Sequence, residues 1–256
     1  MQLSGEKARE NAEIMQERID ALHKEFESIY LRDFCTKSNF DDLSNKGIFR
    51  EHINFWLHCA NAILKPQGRV FIEDESNMSV IKFLIYYFNN CPKALEVFPE
   101  RNYDLAKNIL ICGDVGVGKT LIMDAFALYL EKCHNPRVFK SASQTQMLNY
   151  YKLCNNLDKF IYNEQKSGSF EGNPYNICVN DLGLQTQKFY GQDTKIIIDE
   201  FLFARYEIWS SHGKFLHITT NLDGQDIKQM FSDDYGRLID RFKMFNVIPM
   251  TGASKR

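Results

Sequence analysis

The segment from residue 113 to residue 120 places glycine, lysine and threonine at a spacing suited to holding phosphate groups. It reads Gly113-Asp114-Val115-Gly116-Val117-Gly118-Lys119-Thr120 and fits the pattern G-x-x-x-x-G-K-[ST] without a mismatch. The backbone N–H groups of such a loop, together with the positive end of the helix that follows, attract phosphate oxygens. We expect Lys119 to reach the outer phosphates and the Thr120 hydroxyl to hold Mg²⁺. The pattern therefore predicts binding of a nucleoside triphosphate, ATP with Mg²⁺, by Gly113, Val115, Gly116, Val117, Gly118, Lys119, Thr120 and Leu121.

The residues on either side of this loop predict the elements that must position it. An apolar run at 109–112 indicates a buried strand, and the run 121–130 indicates a helix. Further strands are predicted at 70–72, 138–140, 177–179, 215–219 and 247–248. Further helices are predicted at 78–89, 143–165, 188–209, 225–231 and 234–244. Strands that alternate with helices predict an α/β sandwich around a mostly parallel, five-stranded sheet.

Two segments could supply the acids that a nucleotide hydrolase places opposite its phosphate loop. Residues 195–200 end an isoleucine run in Asp199-Glu200, and residues 177–183 carry Asn180-Asp181. The apolar spacing around Asp199 continues at helical steps as far as residue 208, whereas turn residues bracket 177–179 on both sides. The sequence therefore favours the strand that ends in Asn180-Asp181, and Asp199 with Glu200 remains the alternative.

The first 66 residues are expected to form a helical module that precedes the nucleotide domain at 67–256. Apolar residues recur at steps of three and four along an a/d seam: Ala8, Ala12, Met15, Ile19, Leu22, Phe26 and Ile29. A second amphipathic helix is predicted to end at Lys65-Pro66-Gln67-Gly68. The seam could pack against the rest of the same domain or bind another protein, and the sequence leaves both interpretations open.

Composition limits the classes of function. The net charge of −2 gives no global attraction to nucleic acid, so any such binding needs a local basic patch. The seven cysteines are scattered singly, which is typical of reduced thiols in a cytoplasmic protein rather than of disulfides or zinc. The N-terminus does not have the pattern of a signal peptide, and no apolar run reaches the roughly 20 residues that a membrane span requires.

From about residue 105 onward the chain resembles the AAA+ ATPases of the DnaC/IstB type. Four motifs carry the resemblance, in order: Asn180-Asp181-Leu182-Gly183, Arg205-Tyr206, Thr219-Thr220-Asn221-Leu222 and Gly236-Arg237-Leu238-Ile239-Asp240-Arg241. The resemblance implies a three-layer AAA+ sandwich without a C-terminal lid domain.

The resemblance also implies roles for single residues. Asp181 stands at the position of the catalytic acid, Asn221 at that of the polar sensor beside the γ-phosphate. Arg241 matches the arginine finger that reaches the ATP of a neighbouring subunit, and Arg237 is a second candidate. Asn180 departs from the family pattern, which has aspartate there. The implied metal set is Thr120, Asp181 and Asn180, and because an amide lacks the carboxylate charge we expect ATP binding with slow hydrolysis.

The resemblance further implies partners. A DnaC-like protein would self-associate through ATP, bind single-stranded DNA and engage a replicative helicase through residues 1–66. Candidate DNA contacts combine aromatic and lysine side chains after the second strand: Tyr150, Tyr151, Lys152, Lys159 and Tyr162. Two alternatives remain: an IstB-like helper ATPase with a transposase partner, and a nucleotide-gated adaptor with little hydrolysis.

Overall fold

The structure is a computed structural model of the 256-residue chain. It describes residues 18, 20, 40, 42–162, 173–183, 188–189, 192–231 and 236–255. The seam predicted between residues 8 and 29 lies outside these residues. In the part of the chain that is described, no helix is both long and apolar enough to cross a membrane.

The described chain contains one central sheet and one small hairpin. In chain order the strands are β1 (Asn108–Gly113), β2 (Phe139–Ser143), β3 (Asn176–Leu182), β4 (Lys188–Phe189), β5 (Gln192–Asp193), β6 (Leu216–Thr220) and β7 (Phe245–Met250). The sheet has the order β2-β3-β6-β1-β7 with every pairing parallel, and β4 pairs with β5 in the antiparallel hairpin. The predicted α/β class with a five-stranded sheet is therefore confirmed. Because the strands are parallel, their carboxyl ends meet at one edge.

Helices cover both faces of this sheet. They are α1 (Lys46–Leu64), α2 (Glu75–Phe88), α3 (Ala94–Val97), α4 (Lys119–Lys132), α5 (Gln144–Cys154), α6 (Asp158–Ile161), α7 (Thr194–His212), α8 (Gly224–Met230) and α9 (Arg237–Arg241). Short 3₁₀ turns follow α1 and α9, at Lys65–Gln67 and Phe242–Met244. Alternate residues of β1 enter two separate cores: Ile109 and Ile111 pack with α1, α2 and α4, while Leu110 packs with α5 to α7. Three layers result.

The first described helix, α1, belongs to one of these cores. Trp56 is fully buried with its ring 5.3 Å from that of Phe126 in α4, and His52 Nδ1 lies 2.5 Å from the Tyr129 hydroxyl. The helix ends as the sequence predicts, with Gly68 in the left-handed region (φ 65°). The domain boundary at residue 66 stays a prediction, and α1 packs directly on the helix that follows the phosphate loop.

Three predicted elements were wrong. The helix predicted over 143–165 ends at Cys154, because Asn155 adopts a positive φ of 54°, and the separate short helix α6 follows it. Residues 70–72 form no strand: Val70 and Ile72 are 72% and 62% exposed, and the Phe71 N–H donates to Asn61 Oδ1 rather than to a strand. The helix predicted from residue 188 begins at Thr194, because the β4–β5 hairpin precedes it. The helix includes residues 199 and 200, so the alternative acids lie in a helix and not at a strand end.

Candidate nucleotide-binding site

The phosphate loop turns between β1 and α4 through glycines that other residues could not replace without strain. Gly113 and Gly116 have φ angles of 135° and 86°. A Cβ atom at Gly113 would collide with the carbonyl of Met250, and one at Gly116 would collide with the Ser254 side chain. The loop backbone is therefore held close to the segment that follows β7.

Lys119 joins the loop to the end of β6. Its Nζ donates to Gly113 O at 2.8 Å, to Asp114 O at 2.6 Å and to Asn221 Oδ1 at 2.7 Å. The residue is only 4% exposed, so its charge is held in place by these acceptors. The structure thus brings together Lys119 and Asn221, which are 102 residues apart in the sequence.

Thr120 and Asp181 meet at the same edge of the sheet. The Thr120 hydroxyl donates to Asp181 Oδ1 at 3.5 Å. Asp181 has a positive φ of 56° where the register of β3 with β6 shifts, and its N–H donates to Thr219 Oγ1 at 3.1 Å. Such a bulge re-aims a side chain. A hydroxyl and a carboxylate at one point are oxygen donors of the kind that Mg²⁺ prefers, so the donor chemistry fits this ion.

Asn180 is buried in a hydrogen-bonded network. Its Nδ2 donates to Asp124 Oδ1 at 3.1 Å and to Ser141 Oγ at 2.8 Å, and its Oδ1 accepts from Thr219 Oγ1 at 3.1 Å. Burial raises the pKa of Asp124, while the hydrogen bonds from Ser141 and Asn180 act in the opposite direction. Sequence reasoning missed Asp124. The available signal was its position four residues after Thr120, which places both on one face of α4.

A cleft of about 280 Å³ opens beside the phosphate loop. Thr120, Asp124, Asp181 and Asn221 line its polar side. Its other wall is apolar and comes from the end of α1 and the segment that follows: Ile63, Leu64, Val70, Phe71 and Ile72. The cleft therefore combines a polar end for phosphates with an apolar wall of the kind that takes a ring.

The two arginines of α9 lie elsewhere. Neither Arg237 nor Arg241 is among the described residues that line the cleft. The Arg241 guanidinium stacks on two rings of α7, with its carbon 4.1 Å from the Phe203 centroid and 4.7 Å from the Tyr206 centroid.

The candidate DNA contacts cluster on α5, α6 and the residue after them. Lys159 Nζ lies 5.4 Å from the Tyr150 ring centroid. Tyr150, Tyr151 and Tyr162 are partly buried, while Lys152 and Lys159 are exposed. Tyr150 and Lys159 are therefore neighbours, and the DNA-binding role of the whole set stays a prediction.

The chain is similar in part to solved structures of DnaC and DnaA proteins. The DnaC helicase loader has a TM-score of 0.43 and 15% identity, over 70% of this chain and 93% of that one. A structural-genomics target described as a primosome component from Streptococcus pyogenes has a TM-score of 0.47 and 13% identity, over 73% and 85%. AMPPCP-bound DnaA from Aquifex aeolicus has a TM-score of 0.45 and 20% identity, over 70% of this chain and 48% of that one. No protein-family model and no curated protein sequence matches the chain.

Sequence reasoning also missed two basic residues in the cleft lining, Arg69 and Lys255. The Lys255 ammonium pairs with Asp74, the residue that caps α2, and its backbone N–H donates to Gly116 O at 2.9 Å. Arg69 donates to the Lys255 carbonyl. These contacts join the segment after β7 to the phosphate loop, a long-range arrangement that no local pattern indicates.

Proposed function

We propose that this chain is a replication-related AAA+ ATPase that binds ATP with Mg²⁺ in the cleft beside residues 113–120. The observation that carries the proposal is the convergence of Lys119, Thr120, Asp181 and Asn221 at the carboxyl edge of the sheet. Two of these four residues lie at the start of α4, one lies in β3, and Asn221 directly follows β6. A structural role for the loop alone would require no such meeting of an ammonium, a hydroxyl, a carboxylate and an amide.

Each residue at the cleft would have its own role in binding ATP and Mg²⁺. Loop N–H groups bind the phosphates, and Lys119 exchanges its bonds to Gly113 O and Asp114 O for phosphate oxygens. Thr120 and Asp181 would hold Mg²⁺, which when bound neutralises charge on the outer phosphates. Asp181 would orient the attacking water, and Asn221 would hold Lys119 and sense the terminal phosphate.

The nucleobase would lie on the apolar wall. Phe71 is fixed by its N–H bond to Asn61 and by an edge contact with Trp56, with ring centroids 5.2 Å apart. The exposed Val70 and Ile72 flank it, and the Ile72 carbonyl accepts from Asn77 Nδ2 at 2.8 Å. A ring that covered Val70 and Ile72 would remove apolar surface from water, which favours binding.

Assembly and DNA binding form the wider part of the proposal. Since Arg241 lies outside the cleft of its own chain, it would act on ATP bound by a neighbouring subunit after leaving the rings of Phe203 and Tyr206. Single-stranded DNA would bind the α5–α6 surface, and a replicative helicase would bind residues 1–66. An IstB-like role would replace the helicase with a transposase. A nucleotide-gated adaptor is favoured by one observation, the neutral amide at position 180.

The test is ATP binding and turnover with and without single-stranded DNA, for the wild type, Lys119→Ala and Arg241→Ala. Exposed Lys132 and Arg101 supply the matched controls Lys132→Ala and Arg101→Ala. We expect Lys119→Ala to lose ATP binding, and Arg241→Ala to keep binding while losing at least about tenfold in DNA-stimulated turnover. Wild-type ATP binding by Lys119→Ala would overturn the proposal. Tight binding without turnover in any condition would support the adaptor.

A further inference from the structure

The amide at position 180 is matched to a carboxylate on the neighbouring helix. Asn180 is 4% exposed, and its Nδ2 gives one hydrogen bond to Asp124 Oδ1 and one to Ser141 Oγ. Ser141 Oγ also donates to Asp124 Oδ1, at 2.6 Å. Asp124 Oδ1 thus accepts two bonds from side chains that carry no charge.

Position 124 also faces the phosphate loop. Asp124 follows Thr120 by four residues on α4, so both side chains occupy the same face of the helix. Together with Thr120 and Asp181 it lines the cleft. No described residue makes a hydrogen bond to its second oxygen, Oδ2, while Oδ1 has two donors. One oxygen is therefore anchored and the other is available to a ligand in the cleft.

An aspartate at position 180 would be incompatible with this arrangement. It would replace the amide group that donates to Asp124 with a carboxylate oxygen at the same place, so two like charges would touch. An amide has nearly the same shape, keeps an acceptor for Thr219 and donates to Asp124. Residues 124 and 180 are thus complementary as a carboxylate and an amide.

We propose that Asp124 supplies, from α4, the carboxylate charge for Mg²⁺ that the family pattern places at position 180. The proposal rests on the proposed function, because it assigns Asp124 to the metal end of the same ATP cleft. Asp124, Thr120 and Asp181 would then form the oxygen set toward the ion, and Asn180 would act as a positioning residue that holds Asp124 in place.

The proposal is tested through the dependence of nucleotide affinity on Mg²⁺. The readout is the ratio of the dissociation constants of a fluorescent, slowly hydrolysed ATP analogue in EDTA and in Mg²⁺. We expect Asp124→Asn to lower this ratio by about 10–100-fold, the usual effect of losing a group that supports a bound metal. Glu131→Gln is the matched control, since Glu131 is an exposed acid on the same helix, and it should leave the ratio unchanged.

A double variant, Asp124→Asn with Asn180→Asp, exchanges the two side chains and is called the exchanged pair. It moves the carboxylate to position 180 and the amide to position 124, so we expect most of the Mg²⁺ dependence of nucleotide affinity to return. An unchanged ratio in Asp124→Asn, or no recovery in the exchanged pair, would overturn the proposal. If Asp124→Asn does not fold, the exchanged pair alone decides, because it keeps one carboxylate and one amide. Lys119→Ala distinguishes failure of the Asp124 proposal from failure of the proposed function. If this variant bound the ATP analogue in EDTA with wild-type affinity, the proposed function itself would be refuted.

Discussion

The substitution Asn180→Asp should destabilise the metal-free protein, although it restores the residue of the family pattern. In the native chain Asn180 Nδ2 lies 3.1 Å from Asp124 Oδ1. Two unit charges at that separation repel by about 5 kcal/mol when the effective dielectric constant is about 20. The folded variant can avoid this repulsion by taking up one proton, which the two carboxyl groups then share.

The free energy of this proton uptake determines how much stability Asn180→Asp loses. Protonating a carboxyl group of ordinary pKa at pH 7 costs about 4 kcal/mol, and at pH 5 about 1.5 kcal/mol. The free energy of unfolding should therefore fall by up to about 4 kcal/mol at pH 7 and by about 1.5 kcal/mol at pH 5. The sign follows from linkage: the folded state raises the pKa of the pair, so the penalty is smallest below about pH 4 and grows as the pH rises.

Urea unfolding in EDTA at pH 5, 6 and 7 measures this difference. The exchanged pair, Asp124→Asn with Asn180→Asp, keeps a single carboxylate and should show no pH-dependent gap from the wild type. Equal stability of Asn180→Asp and wild type at pH 7, or a gap that does not change with pH, would refute the reasoning about Asp124.

Three further predictions concern the framework of the site. Burial, with Arg137 and Arg205 nearby, lowers the pKa of His217 to about 3, so stability is lost as the pH falls below 6.5. Between pH 7.5 and 5 the free energy of unfolding should fall by about 2 kcal/mol more in the wild type than in His217→Asn, which keeps an acceptor for the Ile109 N–H. Urea unfolding that shows the same pH dependence in both proteins would contradict this. Phe71→Ala should weaken binding of the fluorescent ATP analogue by roughly tenfold, equally in EDTA and in Mg²⁺. Wild-type affinity in fluorescence titration would show that the apolar wall does not bind the nucleobase. Arg205→Gln should lower the free energy of unfolding by about 3 kcal/mol, because Arg205 is fully buried and donates to the carbonyls of residues 161, 175 and 215. A loss below about 1 kcal/mol, the size expected for a single hydrogen bond, would contradict that role.

The elements that short sequence patterns specify could be predicted from the sequence. The loop 113–120 and the strand before it follow from glycine spacing and an apolar run, and both occur in the structure. The choice of 177–179 as a strand is confirmed, since β3 covers these residues. The glycine and proline residues on either side were the local signal for its ends. Residues 195–200 are apolar enough for a strand, yet their helical spacing places them in α7.

Contacts between distant residues could not be predicted in this way. Residues 70–72 form a short apolar run that resembles a strand in the sequence, but in the structure they line the cleft. The pairing of Asp124 with Asn180 joins a helix to a strand 56 residues later, and no spacing rule relates them. The roles of Asp181, Asn221 and Arg241 stay predictions, although the structure places the first two at the phosphate loop.

Calorimetric titration of ATP in Mg²⁺ against wild type, Lys119→Ala and the control Lys132→Ala tests the central claim most directly. Both lysines belong to α4, but only Lys119 reaches Asn221 and the loop carbonyls, while Lys132 is exposed at the far end of the helix. The account predicts one ATP per chain for wild type and Lys132→Ala, and an affinity at least about tenfold weaker for Lys119→Ala. Equal affinities in all three proteins would contradict it.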